Sequence, residues 1–169
     1  TLAGVGRRMV LEIGAKEELR TALVEKMIAL AKDKKGVVVL EPSFATAKQW
    51  EQFGIPAVKG SEVVQVVNAL KASKLDTPIV FANRYNGIDL PGDACRMLVV
   101  SGLPKGMSDY HKLMSRILVH SKVYARSIAQ NIEQAMGRGT RGSGDYCVVA
   151  LIGFDLCEWV NDNRHAVFL

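Results

Sequence analysis

Two arginines three residues apart stand among glycines in Gln134-Ala-Met-Gly-Arg138-Gly-Thr-Arg141. On a helical or turn-like backbone that spacing puts both guanidinium groups on one face. Gly137, Gly139 and Gly142 let the main chain approach a ligand closely. Two planar forks aimed at one point suit a triphosphate, whose γ-phosphoryl oxygens accept bidentate, charge-assisted hydrogen bonds. Arginines so placed stabilise charge that develops in phosphoryl transfer. A second segment, Phe81-Ala-Asn-Arg-Tyr-Asn-Gly87-Ile-Asp89-Leu-Pro-Gly-Asp93, offers a carboxylate. Ile88 and Leu90 flank Asp89 and would anchor it while its carboxylate points into a crevice. Taken singly, each segment also fits a plainer description. The first could be a solvated Gly/Arg loop, the second a turn with Asp as its cap.

The elements that must position these residues are legible from periodicity. Glu17 to Lys34 reads as an amphipathic helix, with Leu19, Leu23, Met27, Leu30 and Ala31 on one face and Gly36 after its lysine-rich end. Val37 to Leu40 is apolar throughout, as in a strand covered on both faces. Ser43 is placed to cap a helix running to about Trp50. Ala57 to Lys59 is a short strand. Ser61 and Glu62 open a helix over Val63 to Ala72, with Val63, Val66, Val67 and Leu70 on its apolar face. Strands follow at Pro78–Ala82, Arg96–Val100 and Asp145–Ile152, helices between Ser108 and Met136, and a short helix from Phe154. No element is assigned before Glu17. Strands that are apolar throughout and alternate with helices predict an α/β fold with a mainly parallel sheet. Ligands in such folds bind beyond the carboxyl ends of the strands. Ser43, Asn83 to Asp89, Ser101 to Lys105 and Asp155 all follow strands.

Composition narrows the class. The 169 residues predict one domain, 1–169, and the absence of an initial Met suggests a piece of a longer chain. No apolar run reaches the ~18 residues of a membrane helix, and the first residues have the wrong order of charge for a signal peptide. Cys95, Cys147 and Cys157 share no metal-binding spacing, and Cys95 and Cys147 fall in or beside apolar strand patterns, which predicts buried, reduced thiols at those two and a cytoplasmic setting. His111, His120 and His165 are equally scattered, so no metal site is expected on this chain. Trp50 and Trp159 read as packing residues. The net charge of +5 permits a polyanionic partner without requiring one. The basic stretch from Lys105 to Arg126 reads first as the wet face of two helices.

The order strand, Gly-Ile-Asp-Leu-Pro-Gly-Asp, strand, Ser101-Gly-Leu-Pro104, long helices, Gln-x-x-Gly-Arg-x-x-Arg and strand resembles the second RecA-like domain of superfamily 2 helicases. More narrowly it is similar to the C-terminal helicase domain of the DinG and xeroderma pigmentosum D type, from about Gly36 to Gly153. Gly36 to Phe44 would then be motif IV, the segment around Asp89 motif V and the segment around Arg138 motif VI. The resemblance implies a RecA-like, three-layer α/β domain of an ATP-dependent helicase or translocase. In that family the motif VI arginines, here Arg138 and Arg141, reach across a cleft to the ATP γ-phosphate. Gln134 falls near the same nucleotide, and Gly87 and Asp89 fall on the pair that couples nucleotide to nucleic acid. Ser43, Asn83 and Arg84 sit where relatives touch a nucleic-acid backbone, with DNA favoured over RNA. The sequence departs from a complete motor. It has no Gly-x-x-x-x-Gly-Lys-[Ser/Thr] loop and no Asp-Glu-x-[His/Asp]. In the family both belong to an N-terminal RecA-like domain of the same parent chain, which would hold most of the ATP and its Mg²⁺. Asn86 stands where many relatives carry an acid. Alone, residues 1–169 are therefore expected to hydrolyse nothing. The alternative is a helicase-derived domain that grips nucleic acid or a partner without ATP turnover.

Overall fold

A strand with no polar position must be covered on both faces, and Val37-Val-Val-Leu is such a strand. The computed structural model describes residues 7–84, 88–104, 122–136 and 145–162. In chain order these form β1 (Arg7–Gly14), α1 (Glu17–Lys32), β2 (Val37–Glu41), α2 (Phe44–Ala47), β3 (Ala57–Val58) and α3 (Val63–Lys71). There follow β4 (Ile79–Ala82), β5 (Met97–Ser101), α4 (Lys122–Met136), β6 (Tyr146–Ile152) and α5 (Phe154–Asp162). The described strands make one sheet in the order β1-β6-β5-β2-β4-β3, and each pairing in it is parallel.

The two faces of the sheet carry separate cores. On one, Leu23, Val24, Met27 and Ala31 of α1 join Trp50 over Val37, Val39 and Val99. On the other, Leu70 of α3, Ile128 and Ile132 of α4 and Leu156 of α5 lie over Val38, Leu40, Leu98 and Val149. Each such side chain contributes roughly 1.5–3 kcal/mol by leaving water. The result is a three-layer α/β domain with an all-parallel sheet, as the alternating pattern predicts.

The departures have physical reasons. β1 is absent from the sequence-based assignment. Its Met9, Leu11 and Ile13 alternate with Arg8, Val10 and Glu12, but it is an edge strand, and Met9 is 60% and Val10 39% exposed. The helix expected from Ser43 to Trp50 is one α-turn, Phe44–Ala47, tightening into a 3-10 helix over Lys48–Phe53. In α1, Val24 takes the buried place expected of Leu19, which is 42% exposed. The helix stops two residues early. Lys34 adopts the left-handed conformation (φ 58°) and its N–H bonds the Ala31 carbonyl at 2.9 Å, closing the end without glycine. Gly36 has another task. It donates to the Asp93 carbonyl at 2.7 Å and accepts from Arg96 N at 2.8 Å, so close that a Cβ there would fall on the Ala94 carbonyl.

Candidate functional site

β2 and β4 are neighbours, with Glu41 opposite Ala82, so the loops leaving their carboxyl ends run side by side. These loops carry Ser43, Asn83 and Arg84. Ser43 has extended backbone and caps α2, its Oγ accepting from Thr46 N at 3.1 Å. The Thr46 hydroxyl returns a bond to the Ser43 carbonyl at 2.9 Å. Asn83 is left-handed (φ 52°), a conformation Asn tolerates better than most residues, and its N–H bonds the Glu41 carbonyl at 2.8 Å. That turn ends β4 and leaves the Asn83 and Arg84 side chains exposed. Both line a cavity of about 270 Å³ with Phe44, Val58, Gly60, Val63 and Ala82. The three residues expected at a nucleic-acid backbone are thus brought to one edge.

Asp89 is half-buried between Ile88 and Leu90, which are 4% and 1% exposed, so the expected anchoring is present. Gln134 lies exposed in the last turn of α4. Gly87, Arg138 and Arg141 fall outside the described residues. By connectivity, residues 137–144 join the end of α4 to the amino end of β6.

At that amino edge the structure shows a polar node that sequence reading missed. Arg96, just before β5, bonds Asp145 through Nη1 at 2.5 Å, Asp93 through Nε at 2.8 Å and the Tyr146 carbonyl at 2.8 Å. Its guanidinium carbon lies 4.1 Å from the Tyr146 ring centroid. Gly92 N donates to the other Asp145 oxygen at 3.1 Å. The node ties the segment carrying Asp89 to the first residue after the 137–144 connection. Hydrogen bonds from Arg96 and Lys35 hold the Asp93 carboxyl below its usual range. Burial works against charge on Arg96, but Asp93 and Asp145 offset it and raise its pKa. The only sequence signal for this node was charge beside a strand start, which is too common to select.

A second missed feature closes the carboxyl edge. Glu41 is 4% exposed, and its Oε1 accepts from the Trp50 indole N–H at 2.6 Å. The Arg20 guanidinium stacks over Trp50 and Phe53, 5.5 and 5.6 Å from their centroids. Glu41 and Arg20 line a cavity of about 460 Å³ between the ends of β1, β2, β5 and β6. Cys95 and Cys147 are free and buried, as expected of core thiols, and Cys157 is free and buried as well. Burial and the neighbouring Cys147 thiol push Cys95 upward, the thiol contact being the larger cause. Among the described residues no three His, Cys, Asp or Glu side chains gather as a metal requires.

The all-parallel sheet of six described strands, with helices on both faces, matches a RecA-like α/β domain. The helicase C-terminal domain family matches residues 24–154. A solved structure of apo XPD has a TM-score of 0.64 and 16% identity, covering 95% of this chain and 39% of its own. A second, of the XPD helicase, gives 0.61 and 16%, covering 95% and 34%. The Mycobacterium smegmatis helicase Lhr, bound to ssDNA and AMP-PNP, gives 0.56 and 14%, covering 97% and 22%. At such identities these likenesses show the fold. No curated protein matches the chain. The chain belongs to the helicase C-terminal domain family. It spans well under half the length of either XPD chain.

Proposed function

We propose that this domain is the second half of a composite ATPase motor that moves along a single nucleic-acid strand, DNA in preference to RNA. The observation that carries the reading is the meeting of Ser43, Asn83 and Arg84 at one carboxyl edge, in a domain whose family match spans both chemistry-bearing segments. The ssDNA and AMP-PNP in the Lhr structure support the same pair of ligands.

Arg138 and Arg141 act as fingers. Each offers a planar fork to the γ-phosphoryl oxygens as their charge grows, and neither needs to deprotonate. Gln134, Gly87 and Asp89 adjoin the same nucleotide and link it to the strand. Ser43, Asn83 and Arg84 hold the strand's backbone. An N-terminal RecA-like domain of the parent chain would supply the phosphate cradle and hold most of the Mg²⁺, which would offset phosphate charge. Hydrolysis opens and closes the cleft between the two domains, and alternating grip converts this into movement.

The test is strand-stimulated ATP hydrolysis by the full parent chain, wild type beside Arg138→Ala and Arg141→Ala. Loss of turnover by about a hundredfold or more with ATP binding kept is expected, since each finger acts in the transition state. Unchanged turnover in both variants would refute the finger assignment. It would favour a domain that binds nucleic acid without driving a motor.

A further inference from the structure

The cavity beside Asn83 has features that backbone contact alone does not require. Phe44 follows the capping Ser43 directly, yet its ring is not taken into the core and is 37% exposed. Its neighbours across the cavity, Val58, Val63 and Ala82, form an apolar wall. Among the described residues no acidic side chain lines it. Lys48 sets its ammonium 5.4 Å from the Phe44 ring centroid, and Arg84 stands at the rim. Among the described residues, neither Lys48 nor Arg84 is in an ion pair. Glu62, at the start of α3, accepts from the backbone N–H of Lys59 at 3.4 Å.

An exposed aromatic ring, an apolar wall and two cations free of ion pairs, one of them over the ring, suit a nucleotide unit of a single strand. Every base has a π-face that stacks on an aromatic ring, and each phosphate between bases needs a cation. A volume of about 270 Å³ holds one base and not a duplex step. An acidic peptide would use the cations but leave the ring and wall wet. An apolar peptide would desolvate Arg84 and Lys48 without repaying them.

We propose that Phe44 is a base-stacking platform, taking one base of the bound strand against its ring and the Val58–Val63 wall, with the adjoining phosphate on Arg84 and Lys48. The proposal rests on the reading of this edge as a nucleic-acid surface and adds a sequence-tolerant base contact to it. Such a contact would stop the strand sliding while the domain moves.

The test uses the full parent chain without ATP and two probes, fluorescein-labelled oligothymidylate and an abasic strand of equal length. Phe44→Ala is expected to weaken oligothymidylate binding about 5- to 150-fold, the range of one stacked base. Its slope of log affinity against log salt should stay unchanged, and so should its affinity for the abasic strand. Phe44→Trp should bind oligothymidylate at least as tightly as wild type. Arg84→Ala should weaken both probes alike and lower the salt slope by about one. If Phe44→Ala matches wild type on oligothymidylate while Arg84→Ala weakens it, the stacking platform is refuted and the backbone-gripping edge stands. Equal loss by Phe44→Ala on both probes also refutes it, because the ring then only shapes the loop. Failure of the wild-type chain to bind either probe at low salt would overturn the nucleic-acid reading and the platform with it.

Discussion

Replacing Gly36 by Ala should damage this domain more than its position at a strand entrance suggests. A Cβ at Gly36 would lie within bonding reach of the Ala94 carbonyl and 3.0 Å from the Asp93 oxygen. Both obstacles are backbone, so no rotamer change relieves them. The 92–95 turn would have to retreat by more than a bond length. That movement breaks Gly36 N–H to Asp93 O and strains Arg96 N–H to Gly36 O. Two such bonds are worth about 0.5–1.5 kcal/mol each, and overpacking adds about 1–3 kcal/mol. A loss of roughly 3–5 kcal/mol is expected, a large part of an ordinary domain's stability. Urea unfolding followed by tryptophan fluorescence measures it, with Gly60→Ala as the comparison. An added Cβ at Gly60 meets nothing within 4 Å, so that variant should stay within about 0.5 kcal/mol of wild type. A Gly36→Ala loss below about 1 kcal/mol would mean the turn yields freely, and the reasoning from close approach would be wrong.

The remaining predictions concern the polar contacts. Trp50→Phe leaves the buried Glu41 carboxylate without its indole donor and should cost about 1–3 kcal/mol in the same unfolding assay. Glu41→Gln keeps the acceptor and should cost less than that. Arg96→Met should cost about 2–3 kcal/mol, because Asp145 is only 12% exposed and loses its cation. That loss should change little between low and high salt, unlike a surface pair. Asp93 has a depressed pKa, so its contribution is present above the unfolded carboxylate value of about 3.9 and fades as pH falls through the lower folded value. Asp93→Asn should therefore flatten the fall in stability below about pH 4 and leave the curve above pH 5 nearly unchanged in shape. The effect should be small, since Asp93 is 46% exposed.

Sequence periodicity found the interior of this sheet and missed one of its edges. β2, β4, β5 and β6 are apolar on both faces, and their predicted bounds agree with the structure within a residue at each end. β1 carries Arg7, Arg8 and Glu12 among its apolar residues, so its alternation was diluted by charge that an edge strand tolerates. The α1 stop was assigned near a glycine because glycine usually fills that place, whereas Lys34 takes it and Gly36 serves packing. At the site, the Ser43 cap and the anchoring of Asp89 were readable because both depend on immediate neighbours. Trp50 was also readable as a packing residue. The Arg96–Asp145 pair was not, since its members are 49 positions apart and meet only through the β5–β6 register. Phe44 was invisible as an exposed ring, because sequence does not tell which side of a one-turn helix faces the core.

The pairing of β1 with β6 has a consequence for how the domain is made. Arg7 lies opposite Tyr146, so the two strands that close this side of the sheet are separated by most of the chain. During synthesis β1 emerges early and finds no partner until Ile152 has left the ribosome. At ordinary elongation rates that wait is on the order of ten seconds. Met9, Leu11 and Ile13 remain unpaired for that time, with Arg7, Arg8 and Glu12 as the charges that discourage association with other nascent chains. Pairing over so long a separation is slow, so closing this edge should come late in folding. A stall before β6 would leave β1 without its only described neighbour in the sheet.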